Sequence, residues 1–368
     1  MKLTVTVIRI LTGLLFIFSG LVKAIDPLGL AYKMQEFFEA WANDGFLPSI
    51  MHSLDKHVLF FSISMITLEV VVGLALLLGF MRKLATWLLL LLIVFFTFLT
   101  SYVLFSGKIR ACGCFGDCIP LTPIQTFTKD IILLIFAIIL IIGRKHILPA
   151  LKPWPMALVM MLATASVLLL QNRALKHLPP KDCLPYKVGN NILELRKMPA
   201  DAIPDQYEYM FLYEKDGVKK EFPVSGLPDS TWKFVERKQI LVKKGKNNIP
   251  LINDFSLTSI NGNDSTEAIL GQEGEYYLLF VKDLDDYPLQ KGEDVLLARK
   301  LTEKKFPVYV VTSQKDKVSS RFQSLPVTIL TCDATAIKTA ARSKPALFRM
   351  KGPVVQDKWG WADFDDVK

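Results

Sequence analysis

Long apolar runs are nearly absent after Gln171, where the chain turns to charged residues, short strand patterns and turns of globular type. That half answers to water, and the 51% apolar composition is concentrated in the residues before it. A basic stripe interleaved with aromatics is absent too. The Lys and Arg residues behind the net charge of +9 are scattered, which argues against a nucleic-acid partner and for a juxtamembrane surface attracted to anionic lipid. Paired, inverted broken helices of the kind secondary transporters use are not evident. Cysteine is sparse and odd in number: of five, Cys112, Cys114 and Cys118 cluster, while Cys183 and Cys332 stand far downstream. What these thiols mean depends on their side of the membrane.

What is present before Gln171 is a set of segments long enough to cross a hydrocarbon core, which takes about 20 mostly apolar residues. They are Val5–Val22, His57–Phe80, Leu84–Phe105, Ile124–Gly143 and Trp154–Leu170. Basic residues accumulate on the cytoplasmic side. Lys2 and Arg9, Arg82 and Lys83, and Arg144, Lys145 and Lys152 fall on one side if the N-terminus is cytoplasmic. The expectation is an inner-membrane protein with the loops 23–56 and 106–123, and everything after Gln171, in the periplasm. A cleaved signal peptide is the alternative for the first span, although Val22-Lys23-Ala24 is a poor cleavage site.

The outer loop reads Arg110-Ala111-Cys112-Gly113-Cys114-Phe115-Gly116-Asp117-Cys118. Gly113 and Gly116 permit a tight fold that brings sulfurs together. A Cys112–Cys114 bridge closes a very small, strained ring, and strained disulfides are easily reduced; pairing either with Cys118 relaxes it. Three thiols therefore allow a disulfide to change partners. A purely structural loop disulfide is the plain alternative. A zinc site, with His52 or His57 as fourth ligand, is a lesser one.

The segment Cys112-Gly113-Cys114-Phe115-Gly116, with Lys129-Asp130 at the head of the next helix, resembles the MauE branch of the DoxX-like membrane proteins. The run from Gly13 to Pro27, and Glu69-Val70-Val71-Val72-Gly73 with Leu78-Gly79 before Arg82, resemble the same group. The resemblance covers about residues 1–145. It implies a four-helix bundle like that of quinone-linked thiol oxidases and a role in forming disulfides in a periplasmic client. MauE is associated with methylamine utilisation; no methylamine substrate is legible here, and the added tail suggests another client.

Within the bundle, Glu69 lies near the middle of the second span, where a charge costs roughly 2.5–3.5 kcal/mol on insertion scales. It reads either as a proton acceptor or as a neutral carboxyl hydrogen-bonded to Ser19 or Thr97. Asp130, beside Lys129 near the cysteine loop, is a candidate acceptor for a thiol proton or a helix-start carboxylate paired with a local cation. Lys23 and Asp26 read as headgroup anchors.

In the tail, residues 172–190 read as a linker, and 191–248 as a small β-rich segment with a hairpin at Asp216-Gly217. From about Ile249 the pattern resembles TlpA-like thioredoxins: Asp254-Phe255-Ser256-Leu257, the buried strands Tyr276–Val281 and Val308–Val311, and the proline-led Lys344-Pro345-Ala346-Leu347-Phe348. One departure matters. Where that family places Cys-x-x-Cys, this chain has Lys282-Asp283-Leu284-Asp285-Asp286-Tyr287-Pro288. The domain keeps the shape without the dithiol and reads as a docking module. Cys332 reads as a buried small hydrophobe, and a Cys183–Cys332 bridge is an open alternative.

The expected fold is a multi-pass α-helical membrane bundle, comprising a four-helix DoxX/MauE-like core (1–148) and a fifth helix (149–171). A soluble α/β thioredoxin-like domain (249–368) follows. The expected function is thiol–disulfide exchange at the outer face. Its candidate residues are Cys112, Cys114, Cys118, Asp130 and Glu69. A membrane quinone is the candidate electron acceptor, and a thiol-containing extracytoplasmic protein the candidate client. The rivals are a non-enzymatic scaffold with a stapled loop and a transporter using Glu69.

Overall fold

The computed structural model describes residues 2–109, 113, 115–243, 245–282, 284 and 293–367. Cys112 and Cys114 lie outside them, as do Asp283 and most of the stretch that replaces Cys-x-x-Cys.

Among the described residues, five helices are long and apolar enough to cross a membrane: α1 (Lys2–Ala24), α4 (Val58–Leu78), α5 (Arg82–Ser106), α6 (Pro123–Ile142) and α7 (Pro153–His177). Each overlaps one of the spans read from the sequence. Two helices that reading did not resolve, α2 (Pro27–Asn43) and α3 (Pro48–Asp55), fold within the loop between α1 and α4. Proline opens both, where a missing N–H costs nothing, and the Asp26 side chain accepts from the Gly29 N–H at 3.1 Å to cap α2.

Helices α1 and α4 run side by side at close range. A Cβ on Gly73 would lie 2.8 Å from the Gly13 carbonyl oxygen. Small residues let two backbones approach in this way where lipid offers no hydrophobic drive to bring them together. Arg9 closes the opposite end of the bundle, donating to the Leu77 and Leu148 carbonyls at 2.6 and 3.0 Å. Arg82 does the same toward the carbonyls of Lys145 and Ile147. The basic clusters thus share one face, and α2, the cysteine loop and the soluble tail share the other, here called the loop face.

Beyond α7 the chain enters an α/β domain, packing Tyr186 and the single turn α8 (Ile192–Leu195) into its core. A three-stranded antiparallel sheet follows, β1 (Gln206–Lys215), β2 (Val218–Pro223) and β3 (Lys233–Lys243), in order β2-β1-β3. It stands away from the core, with Phe234, Tyr213, Phe222 and Trp232 packed edge to face in a row.

The main sheet has six strands. They are β4 (Thr258–Ser259), β5 (Glu275–Val281), β6 (Val308–Thr312), β7 (Thr328–Thr331), β8 (Ala346–Lys351) and β9 (Val354–Gly360). Their order is β4-β7-β6-β5-β8-β9. The central β5, β6 and β7 are parallel, while β8 and β9 return antiparallel. Helices α9 (Thr266–Leu270), α10 (Glu293–Glu303), α11 (Lys315–Phe322) and α12 (Ala334–Ala340) complete the domain. Strand β5 is buried along nearly its whole length, as a central parallel strand covered on both faces must be. Pro345, whose peptide with Lys344 is cis, leads β8. The arrangement is thioredoxin-like.

Candidate functional site

The candidate side chains among the described residues gather toward the loop face. In a helix every Cα–Cβ bond tilts toward its N-terminus. Helix α1 ends at the loop face, so the Lys23 side chain points back into the bundle; α4 begins there, so Glu69 points up toward it. The two meet as a buried ion pair, with side-chain exposures of 2% and 5%. This corrects two expectations. Lys23 is not a headgroup anchor, and Glu69 is partnered by Lys23 rather than by Thr97, whose hydroxyl donates to the Ile93 carbonyl. Lys23 Nζ also lies 4.9 Å from the Phe96 ring centroid, so its charge faces both a carboxylate and a π-system.

The same tilt aims Asp130 of α6 toward the loop face and Thr100 of α5 away from it. Thr100 donates to Asp130 Oδ2 at 3.0 Å, and Lys129 Nζ sits 2.9 Å from Asp130 Oδ1. Lys129 in turn lies 4.9 Å from the ring of Phe115, the residue after Cys114. Lys23, Glu69, Lys129 and Asp130 line one small cavity of about 20 Å³, room for roughly one water.

Above this cavity the described residues of the loop turn tightly. Gly113 and Gly116 have φ of +72° and +59°, and the Gly116 N–H donates to the Gly113 carbonyl at 2.9 Å. Phe115 tucks beside Phe18 of α1 with ring centroids 6.2 Å apart.

Cys118 is bonded to Cys183, 65 residues on, with the Cα atoms 4.9 Å apart. The sequence reading left the pairing open, with Cys118 among three thiols able to exchange within the loop and a Cys183–Cys332 bridge as an alternative; the structure pairs Cys118 with Cys183 instead. It also spends a thiolate that the zinc alternative required. Cys332 lies instead in the sheet-domain core, its thiol pushed up to about 12 by burial. It will therefore resist iodoacetamide at pH 8 in the folded protein and react only on unfolding, as alkylation followed by peptide mass spectrometry will show.

The reason for the bond lies in how the soluble domain docks. Arg342, just after α12, is buried against the bundle. Its Nε is 3.0 Å from Asp26 and its Nη2 2.5 Å from Asp117, and the guanidinium lies 5.4 Å from the Tyr32 ring of α2. Asp26 is thus no headgroup anchor either. Burial pushes its carboxyl above the usual range, and Arg342 opposes that. Lys338 of α12 donates to Gln35 at 2.8 Å, and Lys358 of β9 to Asp182 at 2.6 Å. The only sequence signal for this surface was the pair of aspartates preceding Cys118 and Cys183.

Residues 1–143 match the family described as Methylamine utilisation protein MauE. Residues 207–244, essentially the three-stranded sheet, match a Domain of unknown function (DUF8463). A curated relative, Protein TlpB of Flavobacterium psychrophilum, is 33% identical over 131 residues, which is 34% of this chain and 33% of the relative. The chain therefore matches about a third of that relative's length.

Proposed function

We propose, from the MauE-family match of residues 1–143, that this chain is a membrane protein of thiol–disulfide exchange working at its loop face. The observation that carries the reading is the Cys118–Cys183 disulfide, formed in a loop that holds two further cysteines four and six residues away. Four thiols make two redox pairs. A client dithiol becomes a disulfide as a loop disulfide takes its two electrons and two protons and becomes a dithiol, and reoxidation of that loop dithiol gives up the two electrons and two protons. Cys112 and Cys114 are assigned the exchanging pair, Cys118–Cys183 its partner bond, and Asp130 the first proton acceptor beneath the loop. Glu69 holds Lys23 in the same cavity.

The basic residues of the opposite face, Arg82, Lys83, Arg144, Lys145 and Lys152, support a cytoplasmic side for that face. The loop face and the thioredoxin-like domain are then periplasmic, in the inner membrane. A membrane quinone supplies a two-electron, two-proton acceptor when bound. A groove of about 520 Å³ between α1 and α6 suits such a ring, with Leu15, Ile132 and Phe136 along it and Gln125 and Lys129 toward the loop face. Thr12, also in its lining, has a buried hydroxyl with no hydrogen-bond partner among the described residues.

The test is the redox state of each cysteine in intact membranes, read by differential alkylation and mass spectrometry with and without added quinone. A mixed population that becomes oxidised on addition supports the relay. One fixed disulfide, indifferent to quinone and to mild reductant, sinks it and leaves a scaffold with a stapled loop.

A further inference from the structure

Each cysteine of the bridge directly follows an aspartate, as Asp117-Cys118 and Asp182-Cys183. Each aspartate is held by a cation from the thioredoxin-like domain: Asp117 by Arg342 at 2.5 Å and Asp182 by Lys358 at 2.6 Å. The side chains of both cations are deeply buried, 7% and 6% exposed. Neither belongs to the membrane bundle, and the relay uses neither. We propose that Arg342 and Lys358 are positioning residues that make the docked domain a latch on the Cys118–Cys183 disulfide, so that docking and oxidation stabilise one another. The inference needs only this bond and the docked domain, and stands apart from the exchange assigned to Cys112 and Cys114.

The physical argument is one of linkage. A disulfide requires its two Cα atoms within about 4.4–6.8 Å. Here the cysteines are separated by two transmembrane helices and lie on different segments, the α5–α6 loop and the tail beyond α7. The clamp fixes the residue before each of them, which raises the concentration of one thiol at the other. Whatever docking contributes to the oxidised state, oxidation returns to docking by the same factor.

An opposing effect must be weighed, since cations near sulfur favour thiolates and hence the reduced form. In this cluster Arg342 and Lys358 face Asp26, Asp117 and Asp182, two positive charges against three negative. Both clamp cations are engaged by these carboxylates rather than by the sulfurs, so the positional effect decides the sign. Reduction by a dithiol of the same compartment puts two electrons into the S–S bond. It yields two thiols on this chain and a disulfide on the reductant, and it frees the loop from the tail.

The experiment uses the full chain in lipid nanodiscs, equilibrated in glutathione buffers of graded ratio, with the oxidised fraction of Cys118–Cys183 read by alkylation and mass spectrometry. Arg342→Gln and Lys358→Gln are each expected to shift the midpoint ratio about tenfold toward easier reduction, within the roughly 5- to 150-fold range of coupled sites. Arg342→Lys keeps the charge but loses the fork that spans two carboxylates, and should recover only part of the shift. The reciprocal arm needs no change in the clamp. Cys183→Ser, or mild reduction of the unsubstituted chain, should raise amide exchange on α12 and β9 by a similar factor. Midpoints that stay within about twofold in both Gln variants overturn the latch, as does α12 exchange indifferent to the bond, because linkage demands both effects.

Discussion

Lys23→Met will cost the bundle about 3–5 kcal/mol, and Glu69→Leu added to it will restore most of that loss. The pair is almost wholly out of contact with solvent, at 2% and 5% side-chain exposure. Removing one partner of such a pair leaves an uncompensated buried charge, which is where the 3–5 kcal/mol arises. Removing both in favour of apolar groups of similar size leaves no charge to solvate and is often neutral or stabilising. Unfolding in detergent, followed by circular dichroism, will separate the three proteins. Equal losses in the single and double variants would mean that Glu69 is already neutral without Lys23. The same double variant decides what Glu69 does. If it is stable and still oxidises thiols at the original rate, the carboxylate is structural. A stable protein without exchange makes Glu69 part of the proton path.

The ion pair also shows where the sequence was legible and where it was not. The five spans could be read because lipid imposes a length and an apolar composition on each helix regardless of its neighbours. Their ends were less legible. The fifth span seemed to stop at Leu170, yet α7 runs to His177, because Gln171 turns inward and donates to Thr67 of α4 at 3.0 Å. A polar residue facing another helix looks, in sequence, like the end of a hydrophobic run. Lys23 misled in the same way: its position near a helix end suggests snorkelling, while the Cβ tilt of α1 aims it at Glu69.

The thioredoxin-like sheet could be anticipated because its central strands are continuous runs such as Tyr276–Val281, buried on both faces. The Cys118–Cys183 bond could not. Its two ends are brought together by a domain docking through Arg342, and nothing local to either cysteine encodes where a residue more than 150 positions away will land. The short helices α2 and α3 were missed for a related reason. They fold against the loop face and lack the length that made the spans conspicuous.

Asp130→Asn will slow oxidation of the loop thiols by about 10²- to 10⁴-fold, the range for a lost proton acceptor, while the fold and the Cys118–Cys183 bond persist. The substitution is chosen for shape. Asn keeps an oxygen that can accept from Thr100, now at 3.0 Å from the carboxylate, and removes only the capacity to take up a proton. Lys129 loses its ionic partner but is 22% exposed and keeps its contact with the Phe115 ring, so little buried charge is stranded. A dithiol that becomes a disulfide releases two protons, and Asp130 is a buried carboxylate joined to the loop through Lys129 and the Phe115 ring. The check is the rate of thiol consumption across pH 6–9 for Asp130→Asn and Lys129→Gln, with unfolding measured beside it. A rate lost only in Asp130→Asn at unchanged stability supports proton transfer. Rates unchanged in Asp130→Asn while stability falls in both would reduce Asp130 to the anchor that holds Lys129 against Phe115, and the protons would have to leave toward water on the outer side of the loop.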